Sequence, residues 1–288
     1  MEIIKAIQQL SNPVLDWIMR IITEGGDIYF FILIGAFLYW IVDKKFAFKL
    51  MVSYILSAMI NGVIKHFTNK LRPYQEGAEA ILQETTGSSM PSGHAQASGA
   101  LSSMLIYQYY EIKWVKYVAI TLMILVPFSR LYLGQHYLED VLVGSLLGIV
   151  LGLFFLWLLG LGKENTEDLK AMVVIPLFIV ALFFVYNEQF YIAAGGYIGL
   201  VLGYFLEKRY VKYEVKEIWW VQLLKFLIGI MGALLIKEGT KPLFALMGDH
   251  YIFDLIRYFL VALWASVGVM YIFKVLFKPN GQSKFVKQ

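Results

Sequence analysis

Long apolar blocks alternate with short polar segments along almost the whole chain. A helix that crosses the hydrocarbon core of a membrane needs ~20 mainly apolar residues. Nine segments approach this length and are predicted to span, at residues 27–43, 46–66, 93–112, 115–132, 137–160, 171–187, 191–206, 218–236 and 255–275. The pattern therefore predicts an all-α, polytopic integral membrane helix bundle of about nine transmembrane helices.

The first residues predict an additional N-terminal amphipathic helix. Apolar residues recur three and four positions apart over residues 3–22, with three charged side chains among them. A helix too charged to span is expected to lie flat in the membrane interface, although an ordinary packing helix fits the same pattern. The Asn12-Pro13 pair predicts that the helix stops and restarts there.

The composition supports the membrane class. Hydrophobic residues make up 59% of the 288 residues and charged residues only 16%, whereas soluble domains carry about 25% charged residues. The chain has no cysteine, which excludes disulfides, thiolate metal sites and cysteine nucleophiles.

Two predicted spans carry glycines at four-residue spacing, namely Gly144, Gly148 and Gly152 in one and Gly195, Gly199 and Gly203 in the other. Small residues at this spacing let helix backbones approach closely. We therefore interpret both stripes as packing surfaces. The predicted span at 93–112 is rich in serine and is placed inside the bundle.

The distribution of Lys and Arg predicts the orientation, because cytoplasmic loops carry an excess of these residues. If loop 43–45 is cytoplasmic, so are segments 111–116, 162–170 and 207–216 and the C-terminal tail. These segments and their flanks hold 15 of the 25 Lys and Arg residues, and the opposite side holds nine. We expect a multi-pass protein of the cell membrane, with its N-terminus outside and its C-terminus inside.

Three polar segments interrupt the apolar pattern on the predicted outer face, at residues 65–73, 88–96 and 129–140. Ionisable groups at membrane depth are costly, so they suggest function. These segments are the candidate site.

The segments contain the groups that an anion-binding site needs. Lys65, Arg72 and Arg130 supply three cations, which suit a dianionic phosphate because Arg donates paired hydrogen bonds and Lys a compact charge. Ser92 and Gly93 stand where a helix is predicted to begin. Helix N-terminal N–H groups bind anions, and glycine allows close approach.

Two histidines complete the candidate chemistry. His136 and Asp140 are four residues apart, so on a helix they share a face. Asp140 can then hold one ring nitrogen and leave the other aimed at the substrate as a nucleophile. His94 can protonate the leaving alkoxide. Together these residues describe phosphoryl transfer through a phosphohistidine.

Each feature taken alone has a structural alternative. A single histidine at a helix end is usually structural, and a cation near the interface is usually a snorkelling anchor. A His/Asp pair is also half of a metal site, but the chain has only four histidines and no cluster of carboxylates beside them. We predict no metal and no other cofactor.

The three motifs resemble the type 2 phosphatidic acid phosphatase superfamily, which also includes the vanadium haloperoxidases. They read Lys-x6-Arg-Pro, Pro-Ser-Gly-His and Ser-Arg-x5-His-x3-Asp within residues 60–140. The resemblance implies that phosphate is bound by Lys65, Arg72, Ser92, Gly93 and Arg130. It implies that His136 is the nucleophile, Asp140 its orienter and His94 the leaving-group acid, without a metal. Membrane members of this superfamily are typically lipid phosphatases acting at the bilayer surface.

The chain is longer than such a catalytic core requires. We assign residues 1–160 to the core, with the interfacial helix and the first five spans, and residues 161–288 to an extension of about four helices. Larger sphingosine-phosphate and glucose-6-phosphate phosphatases have a similar helix count. Lys237 and Lys241 are predicted to lie outside, as a head-group rim or as part of a solvated loop.

The sequence thus predicts an integral membrane lipid phosphatase that hydrolyses a phosphate monoester or pyrophosphate at the outer leaflet. Undecaprenyl pyrophosphate and phosphatidylglycerophosphate are examples of such substrates. The alternatives are a phosphotransferase that passes the phosphoryl group to another lipid or sugar, and a sphingosine-phosphate-type phosphatase. A non-enzymatic lipid-binding or transport protein is disfavoured by the intact catalytic set. The expected partners are the phosphorylated lipid and membrane lipids, not nucleic acid, and a homodimer is left open.

Overall fold

The computed structural model describes residues 1–248 and 250–277, and every regular element in this part is helical. The all-α prediction is confirmed. The α-helices are α1 (Glu2–Gln8), α2 (Pro13–Glu24), α3 (Ile28–Phe37), α4 (Lys44–Thr68), α5 (Gly93–Gln108), α6 (Lys113–Tyr132), α7 (Leu138–Gly160), α8 (Glu167–Met172), α9 (Ile175–Ala181), α10 (Glu188–Leu206), α11 (Trp219–Ala245), α12 (Tyr251–Leu263) and α13 (Val269–Leu276). π-Helical turns continue α3, α10 and α12 at Leu38–Val42, Glu207–Val211 and Trp264–Gly268.

Six helices of the described residues are long and apolar enough to cross a membrane, and seven if the bent pair α2 and α3 forms one broken span. The predicted count of about nine is not confirmed. Helix α5 has only 16 residues, and the predicted span at 171–187 contains the end of α8 and the seven-residue α9. The C-terminal tail, which was predicted to be cytoplasmic, lies mostly beyond the residues that the structure describes.

The N-terminal segment is helical and is broken where the sequence predicted. Asn12 caps α2, because its side chain accepts a hydrogen bond from the Leu15 N–H at 3.0 Å, and Pro13 occupies the first helical position. Helix α2 buries Met19 and Thr23 and exposes apolar side chains such as Trp17. Its location in the membrane interface stays a prediction.

The chain divides into two compact units. The first contains residues 1–35 and 49–162, and the second contains residues 36–48 and the described residues from 163 onward. The sequence predicted a single boundary at residue 160. In the structure the first unit ends at residue 162 and leaves out residues 36–48. The segment 36–48 joins the second unit, where Trp40 Nε1 donates to the Ala265 carbonyl at 2.8 Å and Lys44 pairs with Glu207 at 2.7 Å.

Close helix packing in the first unit places two of the motifs side by side. A Cβ atom at Gly144 would lie 2.5 Å from the Ser92 carbonyl oxygen, and one at Gly148 would overlap the Gln96 carbonyl. The glycine stripe of α7 therefore lets it contact the backbone of α5, as predicted. Ser98 and Ser102 of α5 are fully buried, which confirms that this helix lies inside its unit.

The second unit uses its glycine stripe in the same way. Cβ atoms at Gly195 and Gly199 on α10 would overlap the carbonyl oxygens of Leu255 and Phe259 on α12. The packing interpretation is confirmed for this stripe as well.

Candidate active site

The predicted site residues of the three motifs all lie in the first unit, and His136 is at their centre. His136 is 2% exposed and lies in the turn between α6 and α7. Its Nδ1 lies 2.7 Å from the backbone carbonyl oxygen of Ser89. A carbonyl oxygen only accepts, so Nδ1 carries the proton and Nε2 keeps its lone pair. Nε2 lies 3.4 Å from Nη1 of Arg72.

Asp140 lies beside His136, and its role as the orienter of that ring stays a prediction. His136 precedes α7, which begins at Leu138, so the two residues do not share a helical face. The Asp140 carboxylate lies 3.9 Å from His136 Nδ1, beyond hydrogen-bond distance. The Ser89 carbonyl oxygen, 2.7 Å from the same nitrogen, is the nearer of the two acceptors.

The Asp140 carboxylate has three other partners. It accepts from the Ser89 hydroxyl at 2.5 Å, from the Tyr137 N–H at 2.9 Å and from Lys70 Nζ at 2.8 Å. The Tyr137 contact caps α7, since the carboxylate of the third helical residue reaches back to the preceding N–H. Asp140 is completely buried, so these contacts keep a full negative charge close to the imidazole.

Arg72 is fixed by backbone carbonyls on both sides. It stands just before a short 3₁₀ turn at Pro73–Glu76. Its Nε donates to the Gly87 carbonyl at 3.2 Å and its Nη1 to the Gln135 carbonyl at 3.2 Å. No carboxylate pairs with this buried guanidinium in the described part of the chain. The charge is therefore available to an anion beside His136.

Arg130 and Lys65 are also held by neutral groups. Arg130 is 2% exposed, and its Nη1 donates to the Thr23 hydroxyl at 2.8 Å. Its buried Nε has no hydrogen-bond partner within the described residues. Lys65 Nζ donates to the Ser88 carbonyl at 2.6 Å. Burying a charge without an ion pair costs free energy. An anionic ligand that pairs with these cations would offset this cost.

The segment from Ser92 to His94 forms the start of α5. The buried Ser92 hydroxyl accepts from the Ala95 N–H at 3.4 Å, and the Ser92 N–H donates to the Asp140 carbonyl at 3.0 Å. Nothing lies within 4 Å of a Cβ built on Gly93, so a ligand can approach its amide. Ser92 acts here as a helix cap, and its contact with phosphate remains a prediction.

Electrostatics show that the cations and histidines converge. Burial lowers the pKa of His94, and the nearby Arg130, His136, Arg72 and Lys65 contribute to this decrease. Burial and, to a smaller extent, the nearby cations Arg130, Arg72 and Lys65 lower the pKa of His136 to about 3, although the contact with Asp140 acts in the opposite direction. His136 is therefore neutral at physiological pH, the form that a nucleophile needs.

Three contributing residues were not singled out from the sequence. Ser89 was noted only as part of a polar segment, Lys70 only as a charge, and Thr23 not at all. Each acts through contacts with residues distant in the chain, for which a single sequence gives no periodic signal.

Lys237 and Lys241 belong to the second unit. Helix α11 continues to Ala245, so both residues lie on a helix and not in a loop. Lys237 lies 3.5 Å from Glu238, and Lys241 is exposed. Their role as a head-group rim stays a prediction. No group of three His, Cys, Asp or Glu side chains in the described ranges is arranged to hold a metal ion.

Two family models match the chain. Residues 46–163 match the PAP2 superfamily, and residues 191–281 match the PAP2 superfamily phosphatase, transmembrane extension. The first match contains all three motifs, and the second covers much of the second unit.

Several known proteins are similar to this chain over part or most of its length. The chain is 30% identical over 159 residues to undecaprenyl-diphosphatase BcrC of Bacillus subtilis (strain 168), covering 54% of this chain and 81% of the relative. It is 26% identical over 271 residues to sphingosine-1-phosphate phosphatase 2 of Mus musculus, covering 81% and 75%. The crystal structure of Aquifex aeolicus LpxE has a similar fold, with a TM-score of 0.50 at 24% identity, covering 54% of this chain and 93% of that chain.

Proposed function

Because this chain belongs to the PAP2 superfamily, we propose that it hydrolyses a lipid phosphate monoester or pyrophosphate through a phosphohistidine at the outer face of the cell membrane. It is an integral membrane enzyme of the lipid phosphatase class. Undecaprenyl pyrophosphate and phosphatidylglycerophosphate represent the two proposed substrate types.

The observation that carries the proposal is the geometry of His136. Its Nδ1–H is fixed by the Ser89 carbonyl at 2.7 Å, and its Nε2 lone pair lies beside the Arg72 guanidinium at 3.4 Å. A phosphate held by Arg72 would thus bring its phosphorus close to a correctly oriented nitrogen. Fixed orientation of this kind supplies much of the rate enhancement in phosphoryl transfer.

The proposed reaction has two steps. Nε2 of His136 attacks phosphorus, the bond from phosphorus to the leaving oxygen breaks, and the imidazolium form of His94, which the bound phosphate dianion favours, gives a proton to that oxygen. Water then attacks the phosphohistidine while His94 takes up a proton, which releases phosphate and restores His136. Lys65, Arg72 and Arg130 stabilise the charge on the phosphoryl oxygens in both transition states.

One alternative has specific support. The similarity to a sphingosine-1-phosphate phosphatase covers 81% of this chain, more than the 54% covered by the undecaprenyl-diphosphatase match. A sphingoid-type monoester is therefore the second candidate substrate. A phosphotransferase would use the same first step and differ only in the acceptor.

A phosphate-release screen of the purified protein in detergent tests the proposal. Wild type should release phosphate from one or more lipid phosphates, and His136→Ala should lose at least ~10⁴-fold in kcat and form no trapped phosphoenzyme. His66→Ala is the matched control, because His66 is exposed on α4 next to Lys65 and should retain activity.

Three outcomes would count against the proposal. Full activity in His136→Ala would exclude this nucleophile. Turnover that depends on an added lipid or sugar acceptor, with little free phosphate, would identify a transferase. Lipid binding without turnover in wild type would favour a non-enzymatic protein.

A further inference from the structure

A cavity of about 210 Å³ in the first unit has His94 among its lining residues. It lies between the turn that joins α2 to α3, the middle of α4 and the start of α5, since Gly26, Tyr54 and Gly93 are among its lining residues. Its volume equals that of about seven water molecules at ~30 Å³ each. This space accommodates the first few atoms of a lipid head group but not a whole lipid.

The proposed mechanism indicates on which side of the bound phosphate this cavity lies. In an in-line displacement the nucleophile and the leaving oxygen lie on opposite sides of phosphorus. His136 is the proposed nucleophile and His94 the proposed acid for the leaving oxygen. We therefore assign the cavity that His94 lines to the leaving-group side, an assignment that rests on the proposed function.

The cavity differs from the phosphate site in charge. No Lys or Arg lines it in the described part of the chain, whereas Asp27 does. Asp27 Oδ1 caps α3 by accepting from the Tyr29 N–H at 2.7 Å. The carboxylate forms no ion pair with any described residue. Its second oxygen can thus accept a hydrogen bond from a ligand.

Two other polar lining residues, Gln96 and Asn61, are hydrogen-bonded to each other. The Gln96 side chain donates to the Ser57 hydroxyl at 2.7 Å and accepts from the Asn61 amide. Tyr54 stacks on Phe31 with ring centroids 3.8 Å apart. Asp27 is therefore the strongest acceptor that faces the cavity.

Two of the lining residues are apolar and exposed. Ile28 is 47% exposed and Ala58 is exposed, and both lie on helices that are candidates for spanning the membrane. In the binding mode we infer, the lipid chain lies against these two residues, toward the hydrocarbon region. Polar head-group atoms would then lie near Asp27 and the acyl or prenyl chain beyond them.

We propose that this cavity is the leaving-group subsite and that Asp27 selects phosphate monoesters with a hydroxyl or ammonium group on the carbon next to the ester carbon. Such a donor can reach the free carboxylate oxygen. A lipid diphosphate has an anionic phosphate as its leaving group, which the carboxylate repels. The subsite thus narrows the proposed substrates to monoesters of donor-bearing lipid alcohols.

Four C15–C18 substrates test the proposal with the purified full-length protein in detergent. They are a 2-amino alkyl phosphate, its 2-hydroxy analogue, the plain alkyl phosphate and a prenyl diphosphate, each assayed for kcat/KM by phosphate release. Wild type should prefer the two donor-bearing substrates over the plain one. Asp27→Asn should lower this preference by ~10–100-fold, as expected for loss of a hydrogen bond to a charged group, and should raise the relative rate with the diphosphate several-fold.

Two further variants keep the test decisive. Asp27→Ser removes the carboxylate but preserves a good helix cap, so it should repeat the effect if Asp27→Asn is unstable. Glu24→Gln removes an exposed carboxylate at the end of α2 that does not line the cavity, and the preference should stay unchanged.

The outcomes separate this proposal from the proposed function. Phosphate release without a preference in wild type, or an equal loss on all four substrates in both Asp27 variants, would overturn the subsite and leave the phosphatase assignment intact. Release from none of the substrates by wild type would overturn both.

Discussion

Asp140→Asn should slow the enzyme far less than loss of His136. The substitution removes the negative charge but keeps the volume and an oxygen that can accept from the Tyr137 N–H, now at 2.9 Å. Lys70 keeps its second partner, Glu139, at 2.6 Å. The Nδ1–H of His136 keeps its hydrogen bond to the Ser89 carbonyl at 2.7 Å. The ring orientation and the tautomer should therefore survive.

The magnitude follows from the charge separation. Full opposite charges on Asp140 and His136, 3.9 Å apart, attract by about 4 kcal/mol at an effective dielectric constant of ~20. The ring gains only part of a positive charge in the transition state, and Lys70, 2.8 Å from Asp140, offsets part of the negative charge. We expect about half of this energy, which corresponds to a ~30-fold decrease in kcat.

The assay is kcat at saturating lipid phosphate, together with trapping of the phosphoenzyme and a melting temperature for each variant. The control is Glu139→Gln, which neutralises a neighbouring carboxylate that is 60% exposed and should change kcat less than about fivefold. If Asp140 itself fixed the tautomer, its loss would cost about 10⁴-fold, as in a serine protease triad. A decrease of that size at an unchanged melting temperature would refute the role we assign to the Ser89 carbonyl.

Four further predictions test other parts of the proposed function. His94→Ala should slow hydrolysis of lipid alkyl phosphates by ~10²–10⁴-fold and an aryl phosphate much less, since a good leaving group needs little acid assistance; equal effects on both would contradict the acid role. EDTA should leave activity intact and vanadate should inhibit, because three cationic side chains hold the phosphoryl group; a requirement for Mg²⁺ or Zn²⁺ would be evidence against this. In intact cells an impermeant maleimide should label Glu84→Cys but not Lys163→Cys, both at exposed positions, and the reverse pattern would invert the orientation. Lys237→Ala/Lys241→Ala should raise KM several-fold for doubly anionic lipids and barely alter a short-chain monophosphate, since exposed contacts contribute about 1 kcal/mol or less; equal kinetics with all substrates would assign these residues to packing or dimerisation.

The residue types of the candidate site could be identified from the sequence alone. The three motifs bring His94, His136 and Arg72 into one unit, and each motif stands at or near the end of a helix. The glycine spacing on α7 likewise predicted a packed face, since small residues at every fourth position always line one side of a helix.

Helix lengths were less well determined by hydropathy. The segment 171–187 is apolar enough to resemble a span, yet it contains the end of α8, the short α9 and irregular backbone. An apolar composition indicates that a segment is buried in lipid or in protein. It does not specify at which residue the hydrogen bonding of the helical backbone ends. Conversely, α11 extends nine residues past the predicted end at 236, because charged residues at a helix terminus do not by themselves end it.

Which atoms contact His136 was decided only by the tertiary structure. The sequence spacing favoured Asp140, four residues away, whereas the partner of Nδ1 is the carbonyl of Ser89, 47 residues away. Every residue carries such a carbonyl, so no side-chain pattern distinguishes this one. The sequence determined the residue types, the motifs and the helical class, because these depend on local periodicity and side-chain chemistry. The tertiary structure decided the hydrogen-bond partners and the leaving-group cavity, because these depend on how distant backbone segments pack together.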